Sequence, residues 1–87
     1  MLIKEVNMLN CALLMTKEYC SENIQEFITD KDIFIIHSSQ TKQRYRAILL
    51  VPNIDMIFDF AYDGDTNTYS LETYDKTSVQ IYTTNLM

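Results

Sequence analysis

The sequence has little glycine, proline, cysteine or histidine: its 87 residues include one Gly, one Pro, two Cys and one His. A single glycine argues against a glycine-rich loop that cradles a phosphate, and the scarcity of both glycine and proline argues against flexible linkers. Regular helices and strands must therefore make up most of the chain. Because a chain of 87 residues supports only a modest hydrophobic core, we expect one domain over residues 1–87.

The two cysteines, Cys11 and Cys20, are too few for a disulfide framework, and their spacing matches neither CxxC nor a zinc site. We expect free thiols in a reducing cytosol. No apolar run approaches the ~20 residues that cross a bilayer, and the first residues, MLIKEVN, contain neither a basic leader nor a small-residue cleavage site. The sequence therefore predicts a cytoplasmic protein that is neither secreted nor membrane-spanning.

Cations are also scarce, since seven Lys and Arg residues stand against twelve Asp and Glu residues and give a net charge of −5. Residues 54–87 carry this imbalance, with Lys76 set against Asp55, Asp59, Asp63, Asp65, Glu72 and Asp75. Contacts to a nucleic-acid backbone need clustered Lys and Arg. The charge therefore disfavours direct nucleic-acid binding and favours a basic partner protein.

The N-terminal part has the apolar spacing of an amphipathic helix. The apolar residues at steps near three, four and seven are Leu2, Val6, Leu9, Leu13, Cys20, Ile24 and Phe27. The pattern weakens between Thr16 and Ser21, either of which could cap a new helix, so we expect one helix or two, with Ser21 to Thr29 helical. A rival interpretation makes Asn10 to Met15 a buried strand, followed by a helix from Thr16 to Thr29.

Two strands are predicted after the helical part. Ile33 to His37 is apolar and β-branched without alternation, which is typical of a central strand with both faces covered. The polar residues Ser38 to Gln43 then predict a loop. Arg44 to Val51 alternates apolar and polar side chains, as a strand with one buried face does.

The alternation continues to Tyr74 across turn signals at Pro52-Asn53 and Asp63-Gly64. A last strand is expected over roughly Ser78 to Thr84. The predicted fold class is therefore α+β, with an N-terminal helix or two helices packed on a four- to five-stranded antiparallel meander sheet.

The expected register places the polar residues of these strands on one outer surface, where Arg46 faces Asp59. Like charges directly opposite one another are unfavourable. We therefore prefer a four-residue second turn, Asp63 to Thr66, which places Asp55 opposite Tyr74 and away from Glu72.

The acids of this surface predict a binding site for a basic protein. The candidate partner-binding residues are Asp55, Asp59, Asp63, Asp65, Glu72 and Tyr74. Their summed negative field would steer a Lys/Arg-rich surface towards the sheet, and the interleaved Ile57, Tyr74 and Tyr82 would add apolar contact area. An ordinary solvated sheet face explains the same acids without any partner.

Metal binding is not expected, although Asp63, Asp65 and Asn67 match the D-x-D-x-N opening of a calcium loop. Thr68 stands where that loop requires Gly, and Tyr74 stands where it requires a bidentate Glu. An Asp-Gly turn explains the same residues, so we predict neither a metal nor a cofactor.

No catalytic motif is present. His37 could pair with Cys11 or Cys20 as base and nucleophile, but the spacing does not support such a pair, and carboxylates on an open sheet lack a cleft that would shift their pKa values. The protein is therefore expected not to be an enzyme.

The basic cluster Lys42, Arg44 and Arg46 is short, with Tyr45 pointing to the opposite face. We expect the two arginines to neutralise acids such as Asp59, which leaves little footprint for nucleic acid.

The composition therefore favours a small acidic interaction protein, similar in kind to phage-encoded anti-defence inhibitors and immunity-type proteins. This analogy is one of type, and no residue motif carries it. Its partner would be a basic surface, such as that of a nucleic-acid-binding protein. The alternative is an assembly subunit that forms homo-oligomers through a helix face or a sheet edge, because Val79 to Thr84 has no Lys, Arg or Pro to block edge pairing.

Overall fold

The computed structural model describes the backbone of residues 5–74 and 79–84 and the side chains of residues 8–74. The helix and strands are α1 (Glu5–Tyr19), β1 (Phe34–Gln40), β2 (Arg44–Val51), β3 (Met56–Asp63), β4 (Thr68–Tyr74) and β5 (Val79–Thr84). The strands form one antiparallel sheet in the order β1-β2-β3-β4-β5, and α1 packs on it. The predicted α+β meander is confirmed. Among the described residues, no helix combines the length and apolar character needed to cross a bilayer.

The helix α1 turns one side towards the sheet. Ala12, Met15, Thr16 and Tyr19 recur every three or four residues and are all buried. The Thr16 hydroxyl donates to the Ala12 carbonyl at 2.8 Å, and the Tyr19 ring meets the Phe58 ring edge-on with centroids 5.7 Å apart. The contact between the Tyr19 and Phe58 rings joins α1 to β3. The rival interpretation of residues 10–15 as a strand is therefore wrong.

The helix ends earlier than predicted. It continues from α1 into a single π turn, Cys20–Ile24, and Gln25 then adopts a left-handed conformation with φ 60°. A left-handed residue ends helical hydrogen bonding, so the predicted helix over residues 21–29 is wrong beyond Ile24. Phe27, expected on the apolar stripe, is 87% exposed.

A 3-10 turn over Asp30–Asp32 leads into the sheet. A capping box holds this turn. The Thr29 backbone N–H and hydroxyl donate to Asp32 Oδ2 at 2.9 and 3.1 Å, and the Thr29 side chain accepts from the Asp32 backbone N–H. Asn53 Nδ2 donates to Asp32 Oδ1 at 3.1 Å, which ties this turn to the turn between β2 and β3.

The core lies between α1 and the inner face of the sheet. Alternate residues of β2, β3 and β4 supply it: Tyr45, Ala47, Leu49, Val51, Met56, Phe58, Phe60, Tyr62, Leu71 and Thr73. The strand Arg44–Val51 has the predicted bounds and the predicted alternation of buried and exposed side chains. Period-two patterning succeeds here because only one face of the sheet is covered.

The strand β1 is not the covered central strand that its apolar residues predicted. It extends to Gln40, occupies one edge of the sheet, and all seven of its residues are exposed. Its register with β2 slips between Ile35 and His37, so Ile36 forms a bulge. The prediction was wrong because an apolar strand without alternation has the same sequence pattern whether or not a second layer covers it.

Both hairpins have four-residue connections. In the first, Pro52–Ile54 forms a 3-10 turn, Asp55 is left-handed with φ 55°, and Val51 pairs with Met56. Each side chain keeps its predicted inward or outward direction, since two extra turn residues preserve the parity. The predicted direct pairing of Arg46 with Asp59 is wrong, because Arg46 lies opposite Ala61 and Asp59 lies opposite Ile48.

The second hairpin pairs Asp63 with Thr68. Consequently Ile57, and not Asp55, lies opposite Tyr74, and Asp59 lies directly opposite Glu72. The predicted Asp55–Tyr74 pairing is wrong because the turn comprises residues 64–67 and not Asp63 to Thr66. A like charge therefore lies opposite Glu72 after all, that of Asp59 instead of Asp55.

Candidate functional site on the outer face of the sheet

The surface of the sheet opposite α1, here called the outer face, is organised in rows that run across the strands. An antiparallel register sets directly paired residues side by side on one face. From one end of the sheet to the other, the rows are Phe34, Leu50, Ile57 and Tyr74; then His37, Ile48, Asp59 and Glu72; then Ser39, Arg46, Ala61 and Ser70; then Arg44, Asp63 and Thr68.

The first of these, the apolar row, crosses four strands. Phe34 is 54% exposed and Ile57 is 38% exposed, while Leu50 and Tyr74 are half-buried. Apolar residues scattered singly over a surface need no explanation, whereas a contiguous row of them is a candidate interaction surface. The register alone assembles this patch from residues that are far apart in sequence.

The second, the acid row, holds the like-charge pair. The Asp59 side chain is only 11% exposed and is held by Arg46, which donates from Nε to Oδ1 at 3.0 Å and from Nη2 to Oδ2 at 2.5 Å. Glu72 Oε2 accepts a hydrogen bond of 2.6 Å from the Tyr74 hydroxyl. These two contacts stabilise carboxylates that would otherwise repel one another across β3 and β4.

These contacts shift the pKa values of Arg46 and Tyr74. Hydrogen bonding to Asp59, and then the charge of that carboxylate, raises the pKa of the Arg46 guanidinium. The hydrogen bond to Glu72 raises the pKa of the Tyr74 hydroxyl, because ionisation would place a second negative charge beside that carboxylate. One guanidinium and two carboxyl groups, those of Arg46, Asp59 and Glu72, give this cluster a formal charge of −1.

At the far end of the outer face, the charged side chains are farther apart and more exposed than Arg46 and Asp59. Arg44 lies 3.7 Å from Asp63 and 3.5 Å from Asp65, and all three side chains are more than a third exposed. Exposed pairs at such distances contribute little to stability. The expected neutralisation of acids by Arg44 and Arg46 is confirmed.

Residues 8–84 match a family model described as a family of unknown function, DUF6275. The chain therefore belongs to the DUF6275 family. No curated protein and no solved structure matches it. The matched segment spans β1 to β5 and so includes every row of the outer face.

The structure separates the six predicted partner-binding residues of this DUF6275 chain into three places. Asp59, Glu72 and Tyr74 lie together where the acid row meets the apolar row. Asp63 and Asp65 lie at the far end beside Arg44. Asp55 sits in the turn after β2, at the end of the sheet next to the apolar row.

The calcium-like residues of the DUF6275 chain are engaged elsewhere. Asp63 Oδ1 accepts the Asp65 backbone N–H at 2.9 Å, and Asn67 Oδ1 accepts the Tyr62 hydroxyl at 3.2 Å. Within the described part of the chain, no cluster of three or more His, Cys, Asp or Glu side chains could hold a metal ion.

The cysteines and the histidine, which the sequence did not predict to form a catalytic pair, lie on opposite faces of the sheet. Cys11 and Cys20 belong to the helical layer on the inner face, whereas His37 pairs with Ile48 on the outer face, so the sheet lies between them. Burial raises the pKa of both thiols, that of Cys20 to about 11 with the charge of Glu26 contributing. Neither thiol is activated for nucleophilic attack.

Sequence reasoning missed Phe34 and Leu50 as members of the candidate site. Ile57 and Tyr74 were expected on this surface, and the four-residue turns set them opposite one another. The side chain of Tyr82, which was also expected there, lies outside the described residues. The sequence did show an apolar run without alternation that includes Phe34. In such a strand successive apolar side chains point to opposite faces, so some of them must lie on the outer face.

Proposed function

We propose that this chain is a non-enzymatic interaction protein that binds a basic surface of another protein through its outer face and thereby inhibits it. The observation that carries this proposal is the apolar row lying beside the acid row on the face opposite α1. Protein interfaces combine an apolar centre with a polar surround, and this face offers both.

The apolar row would supply most of the binding energy. Phe34, Ile57 and Tyr74 present aromatic and aliphatic area along one line, and aromatic residues are enriched among binding hot spots. Burying this area removes apolar surface from water at roughly 25 cal/mol per Å². The row is suited to the centre of an interface because the sheet holds its four side chains next to one another, so little ordering is needed on binding.

The charge of the face would select a basic partner. Two arginines, Arg44 and Arg46, stand against four carboxylates, those of Asp59, Asp63, Asp65 and Glu72. Glu72 is the acid beside the apolar row that no arginine bridges in the described contacts, and it is therefore the best-placed group to meet a partner's Lys or Arg. Such complementarity speeds association. Salt screens this attraction between charges that lie farther apart than a Debye length, ~8 Å at physiological salt.

Inhibition would follow from competition. A basic surface on a cytosolic protein commonly serves to bind nucleic-acid phosphates, and an acidic face that covers it excludes them. The two free thiols, Cys11 and Cys20, are compatible with a reducing compartment.

The test is capture of proteins from cytosolic lysate at low and high salt, followed by titration of the captured protein with purified variants. Glu72→Lys reverses the charge of the acid row, and Ile57→Ser removes the centre of the apolar row. Asp59 is left intact because its ion pair is structural. Glu22→Lys makes the same charge change at an exposed position outside the sheet and is the matched control.

We expect a basic protein whose affinity falls at least about tenfold, ~1.4 kcal/mol, with Glu72→Lys and with Ile57→Ser, and stays unchanged with Glu22→Lys. Bound nucleic acid should also be displaced from that protein. Equal affinity of all variants, or an equal effect of Glu22→Lys, would show that the outer face is not the binding surface.

A further inference from the structure

The edge strand β1 has the composition of an interior strand. Phe34, Ile35 and Ile36 follow one another at its start, and they are 54%, 39% and 55% exposed. Residues 33–41 contain no Asp, Glu, Lys, Arg or Pro. This is the longest exposed apolar run in the part of the chain whose side chains are described, and it lies on the open side of the sheet.

Edge strands in proteins that stay monomeric are usually protected. The protecting devices are inward or edge lysines, prolines, bulges, very short strands, or a covering loop. Of these, β1 carries the bulge at Ile36 and none of the charges or prolines. Its seven residues give it more than the mean length of a strand, so its outward backbone groups form a template for another strand.

Charge identifies what can pair with this edge. The chain has a net charge of −5, so two copies repel one another wherever carboxylates meet. The β1 edge is an uncharged stretch, so two copies can approach through it without that repulsion. A basic partner, by contrast, gains nothing from an edge without carboxylates.

We infer that two copies of this chain pair antiparallel through β1 to form a dimer with a continuous ten-stranded sheet. A strand edge placed on a two-fold axis is complementary to itself. With the axis near Ile35, Phe34 of each copy lies opposite Ile36 of the other, and the apolar residues of both copies meet. Both α1 helices then lie on one side of the sheet, and both outer faces lie on the other.

This inference is independent of the proposed function. The dimer would present two acid rows on one surface, with Phe34 at the end of each apolar row next to the two-fold axis. A purified chain is sufficient to test it, so failure to find a partner leaves the result unaffected.

The experiment is light scattering of the purified full chain over a wide range of concentrations. We expect the mean mass to rise from that of a monomer to that of a dimer and to stop there. Ile36→Lys should weaken the dimer at least about tenfold, ~1.4 kcal/mol, because it places two like charges beside the axis. Leu14→Lys adds the same charge at an exposed apolar residue of α1 and should dimerise as the wild type does.

Phe34→Lys is a second edge variant, which replaces a side chain that is 54% exposed and sets a charge opposite Ile36 of the other copy, so it keeps the test decisive where Ile36→Lys unfolds. Hydrogen exchange should show protection of β1 amides that increases with protein concentration. A monomer mass at every concentration, dimers unaffected by both edge variants, or growth beyond the dimer without closure would each overturn the inference. Glu72→Lys should dimerise normally, which separates this outcome from the partner-binding test.

Discussion

Arg46 holds Asp59 through two hydrogen bonds, of 3.0 and 2.5 Å, although the strand register pairs Arg46 with Ala61 and Asp59 with Ile48. The contact is therefore diagonal across β2 and β3, within the reach of a long side chain. It allows a nearly buried carboxylate to lie directly opposite Glu72. A single arginine thus permits the acid row to exist within the sheet.

Replacing Arg46 by Met should lower the free energy of unfolding by about 1 to 3 kcal/mol, because the nearly buried Asp59 side chain would lose its hydrogen-bond donors while still lying opposite Glu72. Urea unfolding at neutral pH measures this loss. Adding Glu72→Gln should restore part of it by removing the repulsion.

Arg44→Met is the matched control, since the ion pairs of Arg44 are long and exposed. It should change stability by less than about 0.5 kcal/mol. Equal losses for the two arginine variants would contradict the structural role assigned to Arg46.

The strands between residues 44 and 74 could be predicted because the pattern that determines them, alternation of apolar and polar residues, is found within each strand. Alternation reports one covered face, and Arg44–Val51 has the predicted bounds. Turn lengths were less determined: Pro-Asn and Asp-Gly signal a reversal without fixing how many residues it takes. The second turn has the predicted four residues but begins one residue later, at Gly64. The exact neighbours of Asp59 and Tyr74 depend on that position, so the rows of the outer face could not be derived from sequence alone.

The predictions for the edge strand and for the end of the helix were wrong for a different reason. The apolar triplet that begins at Phe34 has the same pattern whether a layer covers it or not, and only the packing of α1 over the middle of the sheet decides the matter. Phe27 fits a helical period, but the left-handed turn at Gln25 removes it from the helix. Tertiary context overrides period in both cases.

Asp32→Asn should make stability less dependent on acid pH. Hydrogen bonds from the Thr29 backbone and hydroxyl lower the pKa of Asp32 in the folded protein, with Asn53 contributing further. A carboxyl whose pKa is lowered by folding stabilises the fold fully above its unfolded pKa of about 3.9, and this stabilisation is lost as the pH falls through the folded pKa.

Urea midpoints measured from pH 7 downwards test this linkage. The wild type should be the more stable protein at pH 7, and its advantage over Asp32→Asn should shrink once the pH falls below about 4. Parallel pH profiles for the two proteins would show that the contacts of Asp32 with Thr29 do not persist in solution.

Gly64→Ala should destabilise the second hairpin through lack of space. A Cβ atom at Gly64 would lie 2.8 Å from the Gln43 carbonyl oxygen, and the Gly64 N–H donates to that same oxygen at 2.6 Å. Backbone would have to move, and we expect a loss of about 1 to 3 kcal/mol in the free energy of unfolding. Thr66→Ala, in the same turn and exposed, should stay within about 0.5 kcal/mol; a similar loss for both would contradict the close approach.

Cys20 should react with iodoacetamide more slowly than Cys11. Burial raises the pKa of the Cys20 thiol to about 11, and the charge of Glu26 adds to this, so very little thiolate is present near pH 8. Single-thiol variants, Cys11→Ser and Cys20→Ser, allow each rate to be followed by mass spectrometry. The two rates should become equal in urea, where burial is lost. Glu26→Gln should speed labelling of Cys20, and fast labelling of Cys20 in the native protein would show that the π turn opens readily.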